Sequence, residues 1–285
     1  MKTKLVYVLT SSGKDDRFTA MAVLSLHTFR KRNPKADILV VMDEPTRLAL
    51  EKCGSSVLED AQPVVVDIPS EYNVMQRSRY LKTTLRENVK GDFLYIDGDT
   101  FVADNLDEID NTDADIAMAA DLNCLDKANE EAMERCRTAG FVDLENQPYF
   151  NSGIMFVRDT PMAHELFRKW HEYWKKSLGN GVPQDQPALC EANKVLAHPI
   201  KELAGIWNYQ YRNVKNNNLG ANIRQAKILH YYTVTNFGNI LAFLLDRVRD
   251  KGRVDAIAAV IVRWPHLLVY VHHISMFFYR LRKRS

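Results

Sequence analysis

Short apolar runs and helical patterns alternate along the first part of the chain. The apolar runs predict β-strands at residues 5–9, 37–42 and 63–68. Apolar residues at helical spacing predict helices at residues 18–32, 46–52 and 74–88. Strands that alternate with helices are typical of a parallel sheet with crossover helices. We therefore expect an α/β fold.

The remainder continues this pattern less regularly. Further strands are predicted at residues 116–120, 149–157 and 226–229, and helices at residues 161–178 and from residue 184. Between them, residues 122–148 carry many charges and few periodic apolar residues. Since a stretch of this length in a compact domain is more often a lid or binding loop than a plain connection, we expect a loop here.

The apolar run at residues 93–96 leads directly into Asp97, Gly98 and Asp99. Such a run is typical of a buried strand, and Asp and Gly end it because they favour turns. Open α/β sheets bind ligands at this end of their strands. The two carboxylates repel each other unless a cation lies between them, and Mg²⁺ or Mn²⁺ suits oxygen ligands. The alternative is an ordinary Asp-Gly turn, which is the commoner explanation of an isolated D-x-D.

Two other features could belong to a binding site. Arg79 and Lys82 are three residues apart and share one face of the helix predicted at 74–88. They would contact an anionic or hydroxyl-rich donor, or they form a solvated basic face. Gly153 lies early in the strand predicted at 149–157, where it would allow a ligand or backbone to approach closely, or mark a bulge.

Three later features each carry two interpretations. Asp185, near a helix start, is either a cap or a site residue. The aromatic-amide cluster at residues 207–211 either stacks on sugar rings or packs in the interior. His230 follows the last predicted strand; a lone His is usually structural, but one at a strand end could complete a metal site with the two acids.

Length, charge distribution and cysteine spacing limit the classes of protein that fit this sequence. The chain has 285 residues and 46% hydrophobic content, enough for one substantial α/β core with appendages or for two small domains. Residues 241–285 hold nine Lys/Arg and three Asp, a net charge of +6, which leaves −4 for residues 1–240. An acidic body argues against nucleic-acid binding. The four cysteines show no zinc or disulfide spacing, and the first apolar run is too short for a signal peptide, so a cytoplasmic protein is expected.

The C-terminal segment predicts a different kind of contact. Its longest uncharged stretch, residues 264–279, contains Pro265 and is short of the ~20 residues that span a bilayer. Basic flanks with Trp, Phe and Tyr fit a helix lying on an anionic leaflet. We expect a domain at residues 1–238 and a basic amphipathic helical tail at 239–285, peripheral at the inner face of the cell membrane. The alternative is a packed helical subdomain with a solvated basic end.

Taken in order, the motifs resemble glycosyltransferase family 8, the retaining GT-A group that includes glycogenin and bacterial lipopolysaccharide galactosyl- and glucosyltransferases. The resemblance covers roughly residues 3–237. It rests on the first strand with its polar loop and on seven further motifs: Arg79-Tyr80-Leu81, Leu94-Tyr95-Ile96-Asp97-Gly98-Asp99, Ala119-Ala120-Asp121, Phe150-Asn151-Ser152-Gly153, Asp185-Gln186, Trp207-Asn208 and Leu229-His230. It implies a GT-A, Rossmann-like fold with a mixed, mostly parallel sheet flanked by helices.

The resemblance also implies roles for individual residues. Thr10 and Ser11 would line the nucleoside pocket. Asp97, Asp99 and His230 would bind Mn²⁺ (or Mg²⁺), which bridges the donor diphosphate. The donor would also be held by Arg79, Gly98, Asp121, Asn151, Gly153 and Asp185. Gln186 would lie beside the anomeric carbon as a catalytic residue.

The implied function is a metal-dependent retaining transfer of a hexose from a UDP-sugar to a saccharide or glycolipid acceptor, in lipopolysaccharide or other cell-surface glycan synthesis. The alternatives are an inactive sugar-nucleotide-binding or scaffold protein and a sugar nucleotidyltransferase. The chain departs from the family at Thr233 and Asn236, where Gly and a phosphate-contacting Lys are usual. The leaving-group charge would then be met by the metal alone, or by Lys227, Arg224 or another cation. Gln186 is a poor nucleophile, which favours front-face attack, while Asp185 is the candidate for a covalent route.

Overall fold

The protein is described here by a computed structural model, which covers residues 1–11, 16–121, 129–210, 223–231 and 239–268. The strands are β1 Lys4–Val8, β2 Ile38–Met42, β3 Gln62–Val65, β4 Phe93–Ile96, β5 Thr100–Val102, β6 Ile116–Ala120, β7 Phe150–Val157, β8 Ile200–Glu202, β9 Tyr209–Gln210 and β10 Ile228–His230. The helices are α1 Arg17–Arg32, α2 Glu44–Lys52, α3 Val57–Asp60, α4 Val74–Thr83, α5 Leu85–Asn88, α6 Asn129–Thr138, α7 Pro161–Gly179, α8 Gln186–Val195, α9 Asn239–Lys251 and α10 Ala256–Ile261.

A mixed sheet forms the centre of the molecule, in the order β3-β2-β1-β4-β7-β6-β8. The pairs β1–β2, β2–β3, β1–β4 and β6–β8 are parallel. Strand β7 lies antiparallel between β4 and β6. The predicted fold class, an α/β fold with a mostly parallel sheet flanked by helices, is therefore confirmed.

Side chains alternate across this sheet and build a core on each face. In β4, Leu94 and Ile96 belong to one hydrophobic cluster, whereas Phe93 and Tyr95 belong to the other. Helices α1 and α9 cover the first face, and α7 and α8 cover the second. Because both faces are buried, β4 reads as a continuous apolar run rather than an alternating one. The acids that follow this run therefore lie at the carboxyl end of a central strand.

A small second sheet brings distant parts of the chain to the carboxyl end of β4. It has the order β5-β10-β9, with β10 antiparallel to β5 and parallel to β9. His230 pairs with Thr100 in the register of β10 and β5. The backbone N–H of Tyr231 donates to the carbonyl of Asp99 at 3.0 Å. The last residue of β10 therefore lies next to the D-x-D.

The helix predicted at residues 74–88 is divided into α4 and α5. Thr84, between them, has φ −102° and ψ 8°. The hydroxyls of Thr83 and Thr84 donate to the carbonyls of Arg79 and Tyr80, both at 2.9 Å. Such side-chain hydrogen bonds compete with the helical pattern, and two in succession account for the break.

The interpretation of residues 122–148 as a loop is wrong for its central part. Helix α6 occupies residues 129–138, and its Ala132 and Cys136 are buried in the core cluster on the α7 face. The helix uses few apolar residues because it buries only one narrow side, which explains why the periodic signal is weak. Residues 122–128 lie outside the described part of the chain.

The described part of the C-terminal segment packs on the body of the protein. Helix α9 lies against α1, and Leu241, Leu244 and Val248 join the same core cluster as β1. The division at residue 238 stays a prediction, and residues 269–285 are not described. Within the described residues, no helix is both long and apolar enough to cross a bilayer.

Candidate active site

Asp97, Asp99 and His230 come together at the carboxyl end of β4. Nε2 of His230 lies 3.2 Å from Oδ1 of Asp99 and 3.9 Å from Oδ2 of Asp97. One ligand atom from each residue can be chosen so that all lie within 4.8 Å of one another. The imidazole is buried, whereas the two carboxylates are partly exposed, so the cluster opens to solvent on its acidic side.

Gly153 in β7 makes room for this cluster. A Cβ atom at this position would lie 2.2 Å from Cε1 of His230 and 2.9 Å from Oδ2 of Asp97. These distances are far shorter than a van der Waals contact, so a side chain cannot be accommodated. The close approach predicted for Gly153 is thus made by the side chains of two proposed metal ligands. The carbonyl of Gly153 also accepts the N–H of Asp97 at 2.7 Å.

A chain of amide hydrogen bonds fixes the orientation of His230. Oδ1 of Asn151 accepts the N–H of Gly153 at 3.0 Å and Nδ2 of Asn208 at 2.9 Å. This turns Oδ1 of Asn208 towards Nδ1 of His230, 3.0 Å away. Nδ1 therefore carries a proton and donates it, which directs Nε2 to the acids. A second hydrogen bond of this kind is what metal-binding histidines generally make.

Charge within the cluster is balanced between the imidazole and the acids. Burial lowers the pKa of His230, but the charges of Asp99 and Asp97 outweigh it and raise that pKa above the ordinary value. Burial raises the pKa of Asp99, yet His230 brings it below the ordinary value. Two carboxylates and an imidazole fit a divalent cation, which would balance the charge of the two acids.

A second group of charges lies behind the acids, where α4 meets the start of α8. Nε of Arg79 lies 3.0 Å from Oδ1 of Asp185, and Nζ of Lys82 lies 3.8 Å from Oδ2. The hydroxyl of Ser152 donates to Oδ2 at 2.7 Å. Burial raises the pKa of Asp185, but Lys82 and Arg79 hold it below the ordinary value. Asp185 is therefore an anion in the folded protein; it occupies the N-cap position of α8, but its side chain makes no capping hydrogen bond.

Arg79 faces both Asp185 and the cleft beside the acids. Although Nε is close to the carboxylate, the angle is poor, and within the described residues this buried N–H has no hydrogen-bond acceptor. The guanidinium is partly exposed and lines the cleft beside the acids. The exposed part of the guanidinium is thus the part that an anionic or hydroxyl-bearing ligand in the cleft would contact.

Asp121 and Gln186 meet across the end of β6. Asp121 is buried, and its backbone N–H donates to the carbonyl of Tyr149 at 2.9 Å. Nε2 of Gln186 donates to Oδ2 of Asp121 and to the carbonyl of Phe150, the latter at 3.3 Å. The first residue of α8 is thereby tied to the strands β6 and β7.

A cleft of about 450 Å³ opens over the acids. Thr10, Arg79, Asp97, Gly98 and Asp99 line it, together with the apolar side chains of Val8, Leu9, Phe18, Val74 and Met75. Thr10 Oγ1 donates to the carbonyl of Val74 at 3.3 Å. Ser11 is buried, and its N–H donates to Oγ1 of Thr46 at 2.9 Å. The structure thus places Ser11 behind this cleft.

For two features with alternative interpretations, Lys82 and the aromatic-amide cluster, the structure shows which interpretation is correct. Lys82 is buried against the acids rather than solvated. Its position three residues after Arg79, on the same face of the helix, was the feature of the sequence that could have indicated this. Trp207 and Tyr209 are buried, so packing is the correct interpretation of that cluster in the described residues. Lys227 pairs with Glu108 at 3.2 Å, and its suggested role in place of the missing lysine stays a prediction. Thr233 and Asn236 are not described.

The sequence matches a family model. The model for glycosyl transferase family 8 matches residues 55–236. This range includes the D-x-D, the Gly153 strand, Asp185 and His230. No curated protein matches the chain in sequence.

Solved structures share the fold. The galactosyltransferase LgtC, in complex with donor and acceptor sugar analogues, is 16% identical with a TM-score of 0.58 over 88% of this chain and 95% of that chain. Mouse xyloside xylosyltransferase 1 is 15% identical with a TM-score of 0.56 over 82% and 99%. The glycosyltransferase GlyE of Streptococcus pneumoniae is 16% identical with a TM-score of 0.58 over 92% and 63%. At these identities the likeness is one of fold.

Proposed function

The chain belongs to glycosyltransferase family 8, and from this premise we propose that it is a metal-dependent retaining enzyme that transfers a hexose from a UDP-sugar to a saccharide or glycolipid acceptor. The observation that carries this proposal is the convergence of Asp97, Asp99 and His230 beside the cleft. A nucleoside diphosphate would reach these residues with its phosphates while its nucleoside occupies the apolar part of the cleft near Thr10 and Ser11.

Asp97, Asp99 and His230 would hold the metal. Carboxylates suit Mg²⁺ and Mn²⁺, and an imidazole among the ligands is more typical of transition metals, which favours Mn²⁺. When bound, the cation offsets the charge that grows on the departing diphosphate. Asn208 and Asn151 would keep the imidazole in the binding orientation before the metal arrives.

The donor sugar would be held by the residues around Asp185. The partly exposed guanidinium of Arg79 lines the cleft, where it would contact a sugar hydroxyl or phosphate, and Gly98 lines it between the two acids. Asp121, Asn151 and Gly153, at the ends of β6 and β7 next to the acids, would contribute to the same donor site. Gln186, fixed by Asp121, would lie beside the anomeric carbon.

The contacts of Asp185 favour front-face attack for the retaining step. One oxygen is paired with Arg79, and the other accepts the hydroxyl of Ser152 and faces Lys82. A carboxylate engaged on both oxygens is a weak nucleophile, because attack would break these contacts. We propose that Asp185 orients the donor and that a leaving phosphate oxygen accepts the proton of the acceptor hydroxyl.

UDP release in the absence of acceptor tests the proposal. Purified protein with Mn²⁺ should hydrolyse one member of a panel of UDP-sugars slowly. Asp99→Asn should abolish the release, because the metal loses a ligand, whereas Asp107→Asn, an exposed acid elsewhere, should not change it. Binding of UDP-sugars in a thermal-shift assay without any release, even when saccharide acceptors are added, would instead favour an inactive binding or scaffold protein. Release of pyrophosphate from UTP and a sugar phosphate would indicate a nucleotidyltransferase.

We propose that the acceptor is membrane-linked, as in lipopolysaccharide or other cell-surface glycan synthesis, and that the C-terminal segment binds an anionic inner leaflet from the cytoplasmic side. On and after α10, Ile257, Val260, Trp264 and Leu267 are each at least half exposed. Lys31, Arg32 and Arg263 line the groove beside them. Exposed apolar residues next to cations are what an interfacial helix presents to anionic lipid.

Sedimentation with vesicles tests this attachment. Deletion of residues 254–285 would also remove Ala258 and Val262 from the core, so surface substitutions are cleaner. The double variant Val260→Ser, Trp264→Ser should lose binding to phosphatidylglycerol-containing vesicles. The control Leu48→Ser, which is half exposed on α2, should bind like the wild type. Equal binding by all three proteins would contradict the proposed surface.

A further inference from the structure

Lys82 is a buried cation at the junction of two acidic groups. Its side chain is 2% exposed, and Nζ lies 3.2 Å from Oδ1 and 3.4 Å from Oδ2 of Asp97. It also lies 3.8 Å from Oδ2 of Asp185 and 5.0 Å from the centre of the Tyr95 ring. A lysine is rarely buried without partners, and here its partners come from the end of β4 and the start of α8.

The contacts of Lys82 constrain Asp97. The hydroxyl of Tyr95 donates to Oδ1 of Asp97, and the ammonium approaches the same carboxylate. Oδ2 is the oxygen that faces Nε2 of His230. Oδ1 therefore has two donors, whereas in the described part of the chain Oδ2 has only the longer 3.4 Å contact with Lys82 and is the oxygen that Asp97 presents to the imidazole.

Lys82 would also oppose the binding of a cation. Its ammonium is in contact with a proposed metal ligand, and charges this close in a partly buried site interact strongly. At the same time it contacts Asp185, so a single ammonium links the metal-binding and sugar-binding acids. Its neighbour Arg79, one turn earlier on α4, forms an ion pair with Asp185.

We propose that Lys82 is a positioning residue that weakens metal binding and fixes the position of Asp97, a metal ligand, relative to Asp185. The bound cation would then remain able to bind the donor diphosphate. The inference rests on the proposed function. Removing the ammonium would leave Oδ1 of Asp97 with the Tyr95 hydroxyl as its partner and add one net negative charge beside the metal. The site would then bind the metal more tightly but turn over more slowly.

Two charge-removing variants, Lys82→Met and Lys82→Gln, test this in the full-length protein. Free Mn²⁺ is measured by electron paramagnetic resonance without nucleotide, and UDP release is measured separately. We expect the Kd for Mn²⁺ to fall about tenfold or more, and kcat for UDP release to fall by a similar factor. Lys82→Arg, which keeps the charge, should bind Mn²⁺ within about threefold of the wild type. If Lys82 had only a structural role, its replacement would weaken Mn²⁺ binding and lower kcat together.

Lys227 supplies a matched control. It too is a buried lysine, lies 5.4 Å from the centre of the Trp207 ring and pairs with Glu108. Lys227→Met should lower the unfolding temperature without tightening Mn²⁺ binding.

Three results would overturn the inference. The first is an unchanged or weaker Mn²⁺ affinity in a folded Lys82→Met or Lys82→Gln protein. The second is failure of both to fold while Lys82→Arg folds, which would assign Lys82 a structural role. The third is a wild-type protein that binds no Mn²⁺, which would overturn the proposed metal site as well; the first two leave that site standing.

Discussion

Gly153 and His230 are packed so closely that a methyl group on the glycine would lie 2.2 Å from Cε1 of the imidazole. The two residues are on different sheets, β7 and β10, so neither can move without disturbing a strand. The imidazole is buried and hydrogen-bonded at Nδ1 to Asn208. The absence of a side chain on Gly153 is therefore a condition for the proposed metal site.

Gly153→Ala is expected to displace His230 and to lose metal-dependent activity. Overpacking of this kind costs about 1–3 kcal/mol of stability, while the loss of a ligand should reduce UDP release by more than about 100-fold. Thermal unfolding and UDP release measure the two effects. Gly179→Ala is the control, since a Cβ there meets nothing within 4 Å. A variant of Gly153 with normal activity would show that His230 is not needed in this position.

Asn208→Ala should weaken Mn²⁺ binding without removing a ligand. The amide accepts the proton of His230 Nδ1, and loss of such a partner typically costs about 10–100-fold in metal affinity. Titration of Mn²⁺ with detection of the free ion measures the change. The control is Asn193→Ala, because Asn193 is equally buried and contacts Nδ1 of His198 outside the site. Similar metal affinities in both variants would argue against an orienting role for Asn208.

The front-face route predicts that no covalent intermediate forms on Asp185. Wild-type protein mixed with its UDP-sugar and Mn²⁺, then quenched in acid, should show no hexosyl adduct by intact-mass analysis. Asp185→Asn should still lose activity and stability, since breaking buried ion pairs with Arg79 and Lys82 costs about 3–5 kcal/mol. Ser152→Ala, which removes one hydrogen bond to the same carboxylate, should have a smaller effect. An adduct that maps to Asp185 would establish the covalent route.

His171 should make the protein sensitive to mild acid. It packs against Tyr80 and Trp174, and burial lowers its pKa to about 4. The unfolded chain binds this proton near the ordinary value of about 6.5. Folding stability is therefore expected to decrease as the pH falls from about 6.5 to 4, because protonation favours the unfolded state.

His171→Gln should flatten this part of the pH profile, measured by urea unfolding at several pH values. His164→Gln is the control, since His164 is on the same helix but exposed. A profile for His171→Gln as steep as that of the wild type would show that other groups cause the acid sensitivity.

The sequence by itself determined the strand and helix alternation, the buried strand that ends in Asp97 and Asp99, and the family. These features are local: a run of apolar residues predicts a doubly buried strand whatever lies beside it, and the motifs follow a fixed order. It also singled out Gly153 and His230 separately, each from its place in a predicted strand.

Only the tertiary structure decided what those residues contact. The antiparallel pairing of β7 places Gly153 beside the acids, and the second sheet brings His230 to Asp99. Lys82 could be solvated or buried, and Asn208 could face sugar or the interior, because the pattern around each residue is the same in both cases. Such choices depend on packing between elements that are distant in sequence, whereas periodicity reports only which side of an element is buried.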